Sequence, residues 1–371
     1  MSIKTDVIKY ISNLPAWHTS RRIVVFESDD WGSVRMPSMD CYRTLEKSGI
    51  PVGNTHFNKY DSLESNSDLE CLFEVLSTYK DRIGNHPVFT PYCVIANPDF
   101  DKIKASKFET YFYEPFTETL KRYVNSDKVF DYWKLGAEKR IFVPQFHGRE
   151  HLNVLRWMKD LAAGNEHTLL AFENRMWGIS SPLIRKPYQP AMDFDKVEDL
   201  NFLKSVIEDG LNQFYGLMGY HSSCYVPANG TINLQLSDTL KQTGIKYLML
   251  NKVQKEPLGN GKYRTRINIL GNQTKNGLLI IPRNAVFEPS SSTADWVNQC
   301  LNDINISFRM MKPAIISTHR VNYIGSLNIK NRDNNLLQLK QLLSEIIKRW
   351  PDVKFMSSEE LGNNILAGKL S

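Results

Sequence analysis

The chain reads as an α/β protein built on a parallel sheet that is closed, or nearly closed, into a barrel. Three observations predict this. Short apolar runs alternate with amphipathic helical stretches along the 371 residues, and such alternation marks βαβ units, whose strands lie parallel. The runs are rich in β-branched and aromatic residues, as buried strands are. Three of them end in aspartate or histidine, at the strand terminus where α/β folds place their chemistry.

Taken in order, a short leading helix over 6–17 precedes a first strand, Arg22-Ile23-Val24-Val25-Phe26, which runs into Glu27-Ser28-Asp29-Asp30-Trp31-Gly32-Ser33. Helices follow over 37–48 and 66–82, the second opening on a capping-like Ser67-Asp68-Leu69-Glu70. The strand over 87–96 contains Pro91, which removes a ladder donor and predicts an edge or a bend. Helical patterns occupy 101–138, and a strand over 140–146 leads to His147. Between 163 and 195 the pattern dissolves among Asn165, Pro182, Pro187 and Pro190, which predicts a surface insertion or lid. A helix over 196–217, strands over 222–226 and 246–250, and a hairpin at about 252–270 with Asn260-Gly261 at its tip come next. The strand over 278–282 delivers Arg283, a helix runs from Asp295-Trp296 to Met310, and the strand over 313–319 ends in His319. A helix over 333–348, a strand over 353–355 and a helix from Ser357 close the chain.

Composition narrows the class. A length of 371 residues is enough for one large domain with insertions or for two. No run of eighteen apolar residues occurs and the N-terminus lacks an export pattern, so a cytoplasmic protein without a membrane span is expected. Cys41, Cys71, Cys93, Cys224 and Cys300 are odd in number, scattered and without a Cys-x-x-Cys, which fits reduced thiols. A net charge of +6 suits an acidic glycan but falls far short of a nucleic-acid-binding signature, and by itself it assigns no partner. The oligomeric state is left open.

The chemistry concentrates at His147-Gly148-Arg149-Glu150-His151. Read as the start of a helix, the two histidines share one face, with Cβ atoms about 5–6 Å apart, close enough to bind one transition-metal ion. The missing oxygen ligand is sought at Asp29-Asp30, and a further imidazole at His319. Singly each has an ordinary explanation: an Asx-capped turn for the aspartates, satisfied polar residues for the histidines. In combination a metal site explains them better.

In this order, Asp29-Asp30, His147-x-x-x-His151 and a late strand ending in His319 resemble the first, second and fifth motifs of the polysaccharide deacetylases of carbohydrate esterase family 4. The resemblance spans about residues 22–320. It implies a distorted (β/α) barrel with insertions and fewer than eight strands, forming a single catalytic domain over 1–371. It also implies a divalent metal, foremost zinc (with cobalt, nickel or manganese as alternatives), held by Asp30, His147 and His151. Asp29 becomes the general base, His319 the general acid, and an acetylated saccharide the substrate. Where the family carries Arg-Pro-Pro-Tyr-Gly, this chain has Val226-Pro227-Ala228-Asn229-Gly230. The family arginine is therefore missing, and Arg283 is the candidate to supply its charge. Trp31 (sugar stacking or packing), Arg149 (substrate contact or a local ion pair with Glu150), Asn229 (near the oxyanion donor) and Trp296 (in a weak match to the fourth motif, where Asp295 is equally a helix cap) complete the candidate list.

Two other readings stay open. His147-x-x-Glu150-His151 also fits the inverted zinc-peptidase pattern, which needs a helix. A glycan-binding protein with a decayed site would explain the missing arginine.

Overall fold

The computed structural model describes residues 3–13 and 17–368. The predicted leading helix is Ile3–Asn13, and residues 14–16 of that prediction lie outside the described part. Nine strands form the main sheet: β1 Ile23–Trp31, β2 Phe89–Val94, β3 Gln145–Gly148, β4 Cys224–Tyr225, β5 Tyr247–Leu250, β6 Leu279–Pro282, β7 Ala285–Val286, β8 Ala314–His319 and β9 Lys354–Phe355. They are ordered β6-β5-β4-β3-β2-β1-β8-β7, with β9 also pairing β1, and every pairing is parallel.

The two ends of that order are neighbours in sequence. Only Arg283 and Asn284 separate β6 from β7, so the sheet returns on itself as a ring of seven staves in which β6 and β7 together make one. Asn284 bridges the joint. Its N–H donates to Ile315 O at 3.1 Å, its side-chain oxygen accepts from Ile315 N at 2.8 Å, and its amide donates to Pro313 O at 2.8 Å. The expected distorted barrel is what forms, its closing stave divided between β6, which pairs β5, and β7, which pairs β8.

Pro91 does not mark an edge. It lies in β2, between β1 and β3, and pairs with Ser28, the residue at which the β1 register shifts. A missing N–H is tolerated where a bulge already interrupts the ladder. Where β3 and β4 touch, the only paired residues are Phe146 and Tyr225. Gln145 reinforces this junction, its side-chain oxygen accepting from Ser222 Oγ, Ser223 N and Cys224 N at 2.8–3.0 Å.

Helices such as Asn66–Thr78, Asp199–Met218, Trp296–Arg309 and Ile329–Arg349 cover the barrel, with their apolar residues in one large buried cluster. A second cluster sits beneath the 163–195 stretch. There Phe172, Met176, Trp177, Ile179 and Tyr188 are buried with Phe100 and Trp157. The stretch thus docks as a wall that includes the helix Glu166–Glu173. The hairpin pairs Val253–Gly259 with Lys262–Ile267. All five cysteines are free thiols, and among the described residues no helix is long and apolar enough to cross a membrane.

Candidate metal centre and hydrolytic site

At the C-terminal mouth of the barrel a cavity of about 920 Å³ is lined by Asp29, Asp30, His147, His151, Asn229, Arg283 and His319 together with residues of the 178–189 wall. Parallel strands bring these side chains to one end, where backbone ladders stop and side chains face a common space.

Consecutive strand residues ordinarily point to opposite faces. Asp29 and Asp30 nevertheless both line the cavity, because β1 is bulged between Ser28 and Trp31 and Asp30 takes a left-handed φ of +78°. Aspartate tolerates that conformation better than most residues. Gly32 follows at φ +80°, where a Cβ would lie 2.4 Å from Val94 O, so only glycine lets the chain leave the strand here.

Asp30 Oδ1 lies 3.2 Å from His147 Nε2 and 3.2 Å from His151 Nε2, and all three side chains are buried. His147 Nδ1 is 2.7 Å from Val226 O. A carbonyl only accepts, so Nδ1 carries a proton, and Nε2 is the ring atom that faces the Asp30 carboxylate. The 3.2 Å separations approach the edge, about 3.3 Å, of a tetrahedron of zinc ligands. Burial depresses the pKa of His151, with Asp30 opposing, and so favours the neutral, ligating form. His151 Nδ1 is buried without a hydrogen-bond partner. This Asp-His-His group is able to bind a metal ion.

The histidines do not meet through helical spacing, as the sequence suggests. His147 is the penultimate residue of β3, and His151 lies in the bend before the helix Val154–Ala162, which Asn153 caps. The bend after Gly148 brings the rings to 5.1 Å between centroids.

Asp29 has the opposite surroundings. Arg283 grips it with both terminal nitrogens, at 2.6 and 2.7 Å, while its Nε donates to Glu27 at 2.6 Å. Burial pushes the Asp29 pKa up, but the Arg283 charge and hydrogen bonds outweigh it and hold the carboxyl below its ordinary value. The Arg283 guanidinium therefore stands where the sequence asked for a charge beside Asp29. His319 follows from register: it pairs with Asp29 across the β1–β8 ladder, which leaves Nε2 3.8 Å from Asp29 Oδ2. Its Nδ1 is hydrogen-bonded to Glu288, which Asn322 holds at 2.8 Å. Burial alone would lower the His319 pKa, but Glu288, Asp29 and Asp30 raise it to about 10, so the ring is an imidazolium.

Three sequence candidates lie elsewhere. Trp31 is fully buried, edge-on to Phe142 at 4.9 Å with its N–H on Ser28, and packs the core instead of stacking on a sugar. Arg149 is buried outside the cavity, bonded to Glu150 at 2.6 and 2.8 Å and to Asp209 at 3.0 Å, beneath the Tyr113 ring. Trp296 opens its helix with the N–H on Ser292 O, away from the cavity, and Asp295 is the cap. Asn229 does line the cavity, with a φ of +53°.

Sequence reasoning missed Glu27, Glu288 and Arg35. Glu27 was legible, since it sits two residues before Asp29 and so shares its strand face. Glu288 reaches His319 across 31 residues and carries no local signal.

No family model matches the chain, and no curated protein does. Solved structures similar to it include an allantoinase named Puue, 11% identical, with all of both chains covered at a TM-score of 0.48. One assigned to the polysaccharide deacetylases, from Mycobacterium smegmatis, is 10% identical over 96% of this chain and 94% of that one, at a TM-score of 0.46. A polysaccharide deacetylase from Bacillus cereus is 10% identical over 71% of this chain and 63% of that one, at 0.29. Proteins bearing the polysaccharide deacetylase name thus stand among the structures this chain resembles, but likenesses this distant carry no argument about its chemistry, which rests on the residues themselves.

Proposed function

We propose that this chain is a metal-dependent hydrolase that removes N- or O-linked acetyl groups from a saccharide, with an intracellular precursor of a surface polysaccharide as the favoured substrate. One observation carries the reading: adjacent carboxylates, Asp29 and Asp30, have opposite partners, a guanidinium for one and two imidazoles for the other. Asp30, His147 and His151 would hold the ion. A divalent ion such as zinc, when bound there, supplies Lewis acidity toward a carbonyl and acidifies water toward neutrality.

The remaining residues divide the proton work. Asp29, kept ionised by Arg283, takes a proton from the attacking water as general base. Attack on the acetyl carbonyl carbon places negative charge on its oxygen, near the backbone around Asn229, where an N–H donor would stabilise it. As the C–N or C–O bond breaks, His319 gives its proton to the departing amine or alcohol, leaving acetate and the free saccharide.

The peptidase reading loses its base, because Glu150 is buried against Arg149 and does not line the cavity. The test is acetate release from a panel of acetylated saccharides by metal-stripped and zinc-reloaded protein. Release that needs the metal is the expected result. Zinc and sugar binding with no acetate from any of them would favour a glycan-binding protein instead.

A further inference from the structure

We infer that the cavity contains a built anion subsite centred on Arg35, and that the substrate is an acidic saccharide whose carboxylate docks there. This deepens the proposed function and rests on it. Arg35 lines the cavity, and its guanidinium is held in a prepared slot. Its Nε donates to Asn58 Oδ1 at 3.0 Å, and its carbon centre lies 5.5 Å from the Phe57 ring centroid and 5.8 Å from that of Trp177. Gly178 makes the slot, since a Cβ there would stand 3.0 Å from both Cδ and Nε of Arg35.

What the slot lacks is a counter-ion. Among the described residues Arg35 forms no ion pair, and Nη1 and Nη2 have no hydrogen-bond partner. The carboxylates that act on its charge are turned to other partners, Asp30 to the two histidines and Asp61 to Arg320. A partly desolvated, rigidly held guanidinium without a partner is costly unless a ligand completes it. The contrast with Arg149, Arg283 and Arg320, each bonded to two carboxylates, makes Arg35 the exception. Its free pair of nitrogens matches the two oxygens of a carboxylate. Exposed Arg185 lines the same cavity and adds positive charge at the rim. Through Trp177, which stacks at 6.1 Å on His151, the slot adjoins the candidate metal ligands, so a carboxylate in it belongs to the sugar that carries the acetyl group or to its neighbour.

The test compares an N-acetylated disaccharide containing a hexuronate with its neutral hexose counterpart, on zinc-loaded wild type, Arg35→Gln and Gly178→Ala, reading dissociation constants by calorimetry separately from acetate release. Wild type is expected to bind the hexuronate at least about tenfold more tightly, the scale of a lost charge-assisted hydrogen bond. In both variants that ratio should fall toward one, through the dissociation constant or KM and not kcat. Equal binding of the two sugars by wild type would overturn the inference even if neither variant folds. So would a loss in Arg35→Gln that is the same for both sugars, or tighter binding of a phosphate-bearing counterpart than of the hexuronate. Hydrolysis of both sugars without preference ends this inference and leaves the proposed function standing, whereas preferential binding without any hydrolysis does the reverse.

Discussion

Asp29 and Asp30 are the same residue type, adjacent in the chain and facing the same cavity, yet the molecule treats them differently. The partners of Asp29 are cationic: Arg283 by two hydrogen bonds and His319 by its charge. Around Asp30 the neighbours are the Nε2 atoms of His147 and His151, each 3.2 Å away. One carboxylate is complete within the protein, and the other belongs to an Asp-His-His set that, in the proposed function, a metal ion completes. The lesson is that task is assigned by partners, and partners by which strand end faces which.

The most severe way to break the comparison is to remove a member of the incomplete set. His147→Ala should lose both bound zinc and acetate release, down to background, as read by elemental analysis and a turnover assay. Asp29→Asn should instead keep its zinc while kcat falls by roughly 10²–10⁴, the usual worth of a general base. If both variants lost metal equally, the division between the two carboxylates would be wrong.

Arg283→Met probes the complete side by stability. It leaves Glu27 and Asp29 buried together without their shared counter-charge, and removing one partner of a buried pair costs about 3–5 kcal/mol. Chemical denaturation should show that loss, and an unchanged midpoint would mean the guanidinium does not hold this corner.

Glu288→Gln sharpens the role of His319. The folded pKa, about 10, lies above the ordinary histidine value, so the imidazolium persists through neutrality and is lost only as pH rises through about 10. Without Glu288 the alkaline limb of the pH–rate profile should move down by more than one pH unit, and an unmoved limb would exclude His319 as the acid. The smallest effect is expected from Glu150→Gln, a change of a few fold in kcat, because that carboxylate serves Arg149 outside the cavity. Near-complete loss would restore the peptidase reading.

Much of the architecture was legible because strand and helix periodicities are local. Apolar runs ending in Asp29, His147, Arg283 and His319 announced parallel strands with chemistry at one end, and Asn260-Gly261 announced its hairpin. The failures share a cause. Pro91 left an edge or a bend open because a missing donor is read locally, while the bulge that accommodates it lies on another strand. Trp31 was left between a sugar and the core because its neighbours are catalytic in type, and the same bulge that turns both aspartates into the cavity leaves Trp31 in the core.

The amino-acid sequence by itself determined which side chains could meet: two adjacent acids near the end of β1, a His-x-x-x-His that begins in β3, and a histidine closing β8. The tertiary structure alone decided who faces whom. Ladder register put His319 beside Asp29, closure of the ring through Arg283-Asn284 carried a guanidinium to the same acid, and the 163–195 wall brought Gly178 against Arg35. The physical reason is range: periodicity and turn chemistry act over a few residues, whereas register, closure and docking are settled by burial and hydrogen bonding between segments far apart in the chain.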